Sequence, residues 1–282
     1  MALLQVAEVF GFPTDNHTTA TRASRAARRC PFTGDACTKD SKSDPLGICS
    51  LSDGTNLAVL CPRRFVESSQ LFTDVGRMAF GSKVDVIAAP EVPVLRATPR
   101  AGTRTVSRKR LGKVDYLIGR LGKDGRAVDF AALEVQAVYF SGASIRPVLR
   151  HYLAHDRLPP GASRRPDWRS SAQKRLMPQL ALRIPLFRRW GKKVFVAVDS
   201  QFFAALPPMS TVDTLANSEV TWVVYPFRLS RGRYTIGDPD FVYTTWDDVL
   251  TALREGTAPD PTEILNEIER KRGERGLKVL RT

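Results

Sequence analysis

Two apolar runs on either side of a turn, residues 113–121 and 128–140, constrain the fold of this chain more than any other feature. The residues KDG at 123–125 lie between them, and two strand-like runs joined by a glycine-containing turn predict a β-hairpin. The second run includes FAALEVQAVYF at 130–140, in which nine of eleven residues are apolar. That pattern is typical of a strand buried on both faces, so the hairpin is expected to lie centrally in a sheet.

The rest of the chain alternates helical and strand-like patterns. Residues 62–80 have helical spacing behind Pro62, and Asp167 is placed to cap a helix that runs through Leu186 with a kink at Pro178. Residues 1–12 predict a short amphipathic helix ending at Gly11, followed by a flexible basic lead-in. Further strands are expected at VDVIAAP, VPVLRA, KKVFVAVDS, VTWVVYPFRL and RYTIGD, and two helices at WDDVLTALREG and PTEILNEIERKR. This mixture predicts an α/β fold with a mixed sheet.

The charge balance indicates a polyanionic partner. The chain carries 43 Lys and Arg against 29 Asp and Glu, for a net charge of +14 and a pI near 10.0. A field of that sign attracts phosphate backbones, although a generally basic soluble protein is the alternative. No stretch approaches the roughly 20 apolar residues of a membrane helix, and the start of the chain is a poor signal peptide. We therefore expect an intracellular protein with reduced cysteines.

All four cysteines lie close together in the first quarter of the chain, with the spacing Cys30-x6-Cys37-x11-Cys49-x11-Cys61. In a reducing compartment such a cluster predicts a structural, tetrahedral thiolate metal site, which would close loops in a segment too polar to fold by burial alone. Two disulfides or four unrelated thiols are the alternatives. The spacing lacks the paired CxxC motifs of common zinc sites.

Asp115 and Glu134 are the candidate catalytic acids. Glu134 and Gln136 point to the same face of one strand, and pairing of the two runs brings Asp115 near Glu134. Two buried carboxylates that face each other are costly, and a Mg²⁺ ion removes that cost. The alternative is that Glu134 pairs with an arginine and Gln136 caps a backbone group. Asp85 and Glu91 are upstream acids that could join the site.

Several short motifs resemble the NotI-type restriction endonuclease family. They are CPF at 30–32, GICS at 47–50, CPRRF at 61–65, VDYLIGRL at 114–121 and LEVQAVYFSGAS at 133–144. The resemblance covers about residues 25–205, and the cysteine pattern joined to D…ExQ is more specific than either element alone.

The resemblance implies a PD-(D/E)xK restriction-endonuclease-like core, a mixed central sheet flanked by helices, with a small loop-rich subdomain that binds a metal through four cysteines. Asp115, Glu134 and the backbone carbonyl of Val135 would bind Mg²⁺, and Gln136 would stand where the wider superfamily has Lys. Val114 precedes Asp115, so the leading proline of the superfamily motif is absent. Cys30, Cys37, Cys49 and Cys61 would bind a structural iron, although chemistry alone leaves zinc open.

The implied function is a type II restriction endonuclease, a homodimer that cuts a palindromic, G/C-rich site in double-stranded DNA inside a bacterial cell. Arginine is the usual reader of guanine in the major groove. Candidate DNA-binding residues follow the active strand: Arg146, Arg150, Arg164, Arg165, Lys174 and Arg175.

The expected organisation is an N-terminal helix and lead-in at 1–29, a cysteine segment at 30–61 and a nuclease core at 62–282. Two other functions remain open. One is a non-catalytic DNA-binding protein with a four-cysteine metal site, and the other is a repair nuclease of the same core that reads DNA structure.

Overall fold

The computed structural model describes residues 3–96, 110–254 and 259–275. The strands are β1 Gln5–Val9, β2 Phe12–Pro13, β3 Ile48–Ser52, β4 Leu57–Val59, β5 Val86–Arg96, β6 Arg110–Leu121, β7 Ala127–Val135, β8 Phe140–Ser141, β9 Arg165–Pro166, β10 Val194–Asp199, β11 Val220–Tyr225, β12 Phe227–Ser230, β13 Arg233–Ile236 and β14 Asp240–Thr244. The α-helices are α1 Thr19–Ala26, α2 Gln70–Phe80, α3 Arg146–His155, α4 Trp168–Ser171, α5 Met177–Arg189, α6 Ser200–Ala204, α7 Trp246–Arg254 and α8 Pro261–Arg275. None of the helices in these ranges has the length and apolarity that crossing a bilayer requires.

A mixed sheet of six strands, in the order β14-β11-β10-β7-β6-β5, forms the centre of the molecule. β10 runs parallel to both β7 and β11, whereas β6 is antiparallel to both β5 and β7, and β14 is antiparallel to β11. β10 and β11 are buried along their whole length, as their continuous apolar sequences require. The predicted hairpin is confirmed as β6 and β7, and the predicted α/β class with a mixed sheet is confirmed.

Helices cover the central sheet on both faces. Leu180 and Ile184 of α5, with Leu176 just before it, pack with α6 and α7 against one face. Leu71 and Val75 of α2 pack against the other face, beside a 3-10 helix at Pro62–Ser69. Alternate residues of β7 therefore enter different cores.

The helix predicted from Asp167 is confirmed but is not uniform. Asp167 caps α4, with its carboxylate accepting a hydrogen bond from the backbone N–H of Ser170. A π-helical segment, Ala172–Leu176, joins α4 to α5, and Pro178 lies in the first turn of α5. A proline has no N–H for the ordinary helical bond, so the wider turn falls where that bond is lacking.

A second sheet, β2-β1-β3-β4, joins the N-terminal strands to the two strands of the cysteine segment. The predicted helix at the N-terminus is wrong, because residues 5–9 form β1, whose residues Val6 to Val9 are buried against β3. The expected flexible lead-in is also wrong, since α1 lies within it. The cysteine segment has more core than predicted: β3 and β4 are fully buried. These segments form strands because they pair with residues that are distant in sequence.

Three smaller differences concern the site's surroundings. VDVIAAP and VPVLRA form one strand, β5, with Glu91 at a positive φ of 51° in its middle. Residues 62–80 are helical as predicted but are broken at Glu67 and Ser68. Two elements were not predicted from the sequence, α3 within the polar segment 141–165 and the edge strand β14.

Candidate active site and cysteine cluster

Asp115 and Glu134 face each other on adjacent strands. Tyr116 of β6 pairs with Leu133 of β7, so the next pair towards the end of the hairpin is Asp115 with Glu134. Oδ2 of Asp115 accepts a hydrogen bond of 2.9 Å from the backbone N–H of Val135. The hairpin therefore brings together the two acids that the sequence placed 19 positions apart.

Glu134 is paired with an arginine from the helical layer. Its side chain is only 1% exposed, and the guanidinium of Arg183 on α5 forms an ion pair with Oε2. The other oxygen, Oε1, is enclosed without a hydrogen-bond partner among the described residues. Burial, followed by the charge of Asp115, raises the pKa of Glu134 to about 9, while Arg183 acts in the opposite direction. The pairing with an arginine that was the alternative expectation is thus present.

Gln136 follows β7 directly. Its backbone N–H donates to the carbonyl of Ala197 at 2.9 Å, which continues the attachment of β7 to β10. Its side-chain Nε2 donates to the carbonyl of Ala137 at 2.5 Å. The amide side chain therefore lies against the backbone at the strand's end.

An open cleft of about 880 Å³ lies at this end of the sheet. Asp115, Val135 and Gln136 form part of its wall, and Glu134 lies behind them. The basic residues that line it are Arg63, Lys174 and Arg175. The cleft is therefore bordered by both acids and cations, as a site for a phosphodiester with a metal ion requires.

The two upstream acids differ in position. Pro90 pairs with Tyr116 and Val92 with Val114, which puts Glu91 across from Asp115. Glu91 lines the cleft, but its exposed carboxylate forms an ion pair of 2.7 Å with Lys113. Asp85 does not belong to the cleft wall.

The predicted DNA-binding residues fall into two groups. Lys174 and Arg175 lie in the π-helical segment at the cleft, with the Arg175 guanidinium 3.4 Å from the centroid of the Tyr139 ring. The other four lie outside the cleft wall. Arg146 forms ion pairs with Asp40 and Asp44, so it anchors α3 to the cysteine segment.

Arg150 and Arg164 complete that second group with Arg165 of β9. Arg150 is 74% exposed and lies 3.5 Å from Asp44. Arg164 donates to backbone carbonyls of Gly161, Ser163 and Ser144. Arg150 and Arg165 are exposed, whereas Arg164 is partly buried and contacts the loop that follows β7 through Ser144.

The four cysteines converge on one cavity of about 270 Å³. All four are free thiols. Backbone contacts bring them together: Cys30 N–H donates to Asp35, Cys37 N–H to Arg28 and Cys61 N–H to Cys49. Burial raises the pKa of the Cys37 and Cys49 thiols. Within the described ranges, however, no three His, Cys, Asp or Glu side chains form a group that could hold a metal ion.

Arg183 and Arg63 are site residues that the sequence analysis missed. Arg183 lies three positions after Leu180 and one before Ile184, both of which are buried in the core. An arginine at an inward helical position was a signal for a buried charge. Arg63 follows Cys61 and was grouped with the cysteine motif, and only the fold brings it to the cleft.

A mixed sheet with helices on both faces, and with a hairpin that presents opposed carboxylates at a cleft, defines a restriction-endonuclease-like core. The family model described as Restriction endonuclease NotI matches residues 14–236, most of the chain. The chain therefore belongs to the NotI restriction endonuclease family. It is a type II restriction endonuclease, a deoxyribonuclease that cuts double-stranded DNA at a specific site. Comparison with curated proteins gives no significant match.

Proposed function

We propose that this endonuclease cuts a palindromic, G/C-rich DNA site as a homodimer, with Asp115, Glu134 and Gln136 in the reaction and Mg²⁺ as its cofactor. The observation that carries this proposal is the pair of opposed carboxylates on β6 and β7, of which Asp115 lines a cleft and Glu134 lies enclosed behind it. A palindromic DNA site has two-fold symmetry, which matches the two-fold symmetry of a homodimer. The cytoplasm of a bacterial cell is the expected place of action.

The residues at the cleft fit Mg²⁺ in their chemistry. Carboxylate and carbonyl oxygens are the hard donors that this ion prefers, and Oε1 of Glu134 is enclosed without a hydrogen-bond partner among the described residues. Asp115, Glu134 and the carbonyl oxygen of Val135 would hold it. When bound, Mg²⁺ supplies polarisation of the phosphate and a lower pKa for water.

The side chains have separate tasks in the hydrolysis. The oxygen of water bonds to phosphorus, one backbone P–O bond breaks, and the departing oxygen takes a proton. Gln136 can accept a hydrogen bond from that water but cannot take up its proton, so it orients the water. The proton passes to the substrate phosphate or to solvent.

Cys30, Cys37, Cys49 and Cys61 are proposed to hold a structural iron, with zinc as the alternative. Their convergence on one cavity supports a shared ligand, and four thiolates suit either tetrahedral ion. Elemental analysis of protein purified without added metal tests this assignment. One equivalent of iron supports it, one of zinc corrects the metal, and a metal content near zero for both overturns it.

Affinity for DNA is proposed to come from the basic residues around the cleft and α3. Lys174 and Arg175 would contact the DNA at the cleft, and Arg146, Arg150, Arg164 and Arg165 would contact it beside the active strand. Phosphate contacts position a duplex and base contacts select its sequence.

The test uses purified protein, Mg²⁺ and unmethylated phage DNA, with Glu134→Ala alongside. Discrete fragments from the wild type and none from the variant support the proposal, and the fragment ends give the recognition site and its symmetry. Intact DNA with binding retained in a gel shift would favour the non-catalytic DNA-binding protein. Cutting of branched DNA only, without discrete fragments, would favour the structure-specific nuclease.

A further inference from the structure

The cleft contains more negative charge than its catalytic side chains can balance. Asp115 and Glu134 are acids, Gln136 is neutral, and the substrate adds a phosphodiester anion at the same place. Charge on the phosphate oxygens rises further as water attacks. Fixed donors aimed at that developing charge are usually the largest single contribution to catalysis. A cation of the protein is therefore needed beside the metal, and three line the cleft.

The three cations are held differently. Lys174 and Arg175 are exposed on the π-helical segment, and Arg175 lies over the ring of Tyr139. Arg63 is partly buried, and its Nη1 is fully enclosed without a hydrogen-bond partner among the described residues. An enclosed charged donor without a partner is unfavourable by itself. Arg63 is thus a cleft cation with an enclosed N–H group for which the described residues offer no acceptor.

The backbone around Arg63 is fixed next to the active strand. Its neighbour Arg64 is fully buried, forms an ion pair with Glu8 and donates to the carbonyl of Tyr234 at 2.5 Å. Val138, two residues beyond Gln136, donates its N–H to the carbonyl of Val59 at 2.9 Å. The segment that carries Arg63 is therefore anchored on both sides, and the arginine has a defined place beside the end of β7.

We propose that Arg63 is a catalytic residue that binds the scissile phosphate and stabilises the negative charge that builds on its non-bridging oxygens. The proposal rests on the function proposed above. Because Arg63 also lines the cavity of the four cysteines, it makes the cysteine segment a contributor to the active site.

Single-turnover cleavage of a specific oligonucleotide duplex tests the proposal with Arg63→Gln and Arg63→Lys. Arg63→Gln should cut about 10² to 10³ times more slowly, the loss expected for one donor to a developing oxyanion. Arg63→Lys keeps the charge but loses the paired donors of the guanidinium, so it should cut about tenfold more slowly. Arg126→Gln is the control, because Arg126 is 87% exposed at the hairpin turn.

DNA affinity measured with Ca²⁺ in place of Mg²⁺ separates binding of the phosphate from a structural role. The wild type should lose affinity for a duplex with a neutral methylphosphonate at the scissile position, and Arg63→Gln should lose less. Equal losses in both proteins, or equal rates of the Gln and Lys variants together with lowered melting temperatures, overturn the proposal.

The outcomes distinguish this proposal from the function on which it rests. A wild type that cuts, with Arg63→Gln cutting as fast, overturns the role of Arg63 alone. A wild type that does not cut overturns both. Should Arg63→Gln fail to fold, Arg63→Lys decides, and a wild-type rate from it contradicts the proposal.

Discussion

Glu134 is a charged residue within the buried part of β7. The buried half of β7, residues 131–135, is otherwise apolar, and a buried carboxylate is stable there with a counter-charge. Arg183 supplies that charge from α5, on the same side of the sheet as Asp115. A metal ion bound by the two acids would face the same carboxylate. Arg183 and the metal are thus two cations for one buried anion.

The first prediction concerns the two acids. Asp115→Asn should raise the free energy of unfolding of the metal-free protein by about 1 kcal/mol, because it removes one of two opposed charges at a functional site. The asparagine oxygen can still accept the N–H of Val135. Glu134→Gln should instead lower the free energy of unfolding, since Arg183 is left without its partner. Urea unfolding in the presence of a metal chelator measures both changes in the free energy of unfolding. Two changes of the same sign would contradict the explanation.

Arg183→Met is the second prediction. Removing this cation raises the pKa of Glu134 further, so Glu134 is protonated in the metal-free protein at neutral pH, and the lost hydrogen bonds of Arg183 should lower stability by about 1 to 3 kcal/mol. Mg²⁺ then restores a counter-charge, and its stabilising effect should exceed that in the wild type. Melting temperatures with and without Mg²⁺ provide the measurement. Arg189→Met is the matched control, because Arg189 is an exposed arginine of the same helix. If Mg²⁺ stabilises Arg183→Met no more than it stabilises this control, Arg183 and Mg²⁺ are not alternative counter-charges for Glu134.

At the scale of elements, the hairpin could be predicted because its two runs and turn are local signals. The strand β1 could not, because its residues also fit a helical pattern and only pairing with β3 makes them a strand. The opposition of Asp115 and Glu134 followed from the hairpin. The roles of Arg183 and Arg63 depend on which helix and which loop pack at the strand's end, and no local pattern carries that information.

Gly76 gives the third prediction. A Cβ at this position of α2 would lie 2.8 Å from Cγ1 of Val86 on β5. Alanine in a helix is normally favoured over glycine by about 1 kcal/mol. Here we expect Gly76→Ala to destabilise by about 1 to 2 kcal/mol net, because overpacking outweighs propensity. Chemical unfolding measures it, and adding Val86→Ala should relieve much of the loss. Gly273 of α8 has open space around it, so Gly273→Ala should not lower stability.

The fourth prediction concerns the contact between β7 and the turn after α5. Lys192 forms an ion pair of 2.5 Å with Asp129 and lies over the ring of Phe130. The hydrogen bond from Lys192 lowers the pKa of Asp129. A carboxyl whose pKa is lower in the folded protein than in the unfolded chain stabilises the fold at any pH above its unfolded pKa. This stabilisation is lost as the pH falls through the pKa of the folded protein. Lys192→Gln should therefore cost up to about 1 kcal/mol at neutral pH, and this cost should shrink as the pH falls below about 3.9, the ordinary pKa of Asp, as measured by unfolding at a series of pH values.

At the scale of the whole molecule, two sheets are joined at the catalytic end. Arg64 lies between the rings of Phe32 and Phe227 and pairs with Glu8 of the smaller sheet. Asp199 of β10 accepts the backbone N–H of Val59, again linking the two. The smaller sheet and the cysteine segment are therefore packed directly against the central sheet, and Arg63 lines both the cysteine cavity and the cleft.

The net charge of +14 leads to the last prediction, on how this molecule holds DNA. Each phosphate neutralised by a side chain releases counterions, so the affinity falls with salt by about 0.9 log units per contact and per log unit of salt. Replacing both Lys174 and Arg175 by Gln should lower that slope by about 2, with affinity weakened for all sequences. Fluorescence anisotropy with Ca²⁺ over a salt series measures the slope. Arg270→Gln is the comparison, because Arg270 is already paired with Glu267 and Glu274 within α8. A slope unchanged in the double variant would mean that DNA lies away from the π-helical side of the cleft.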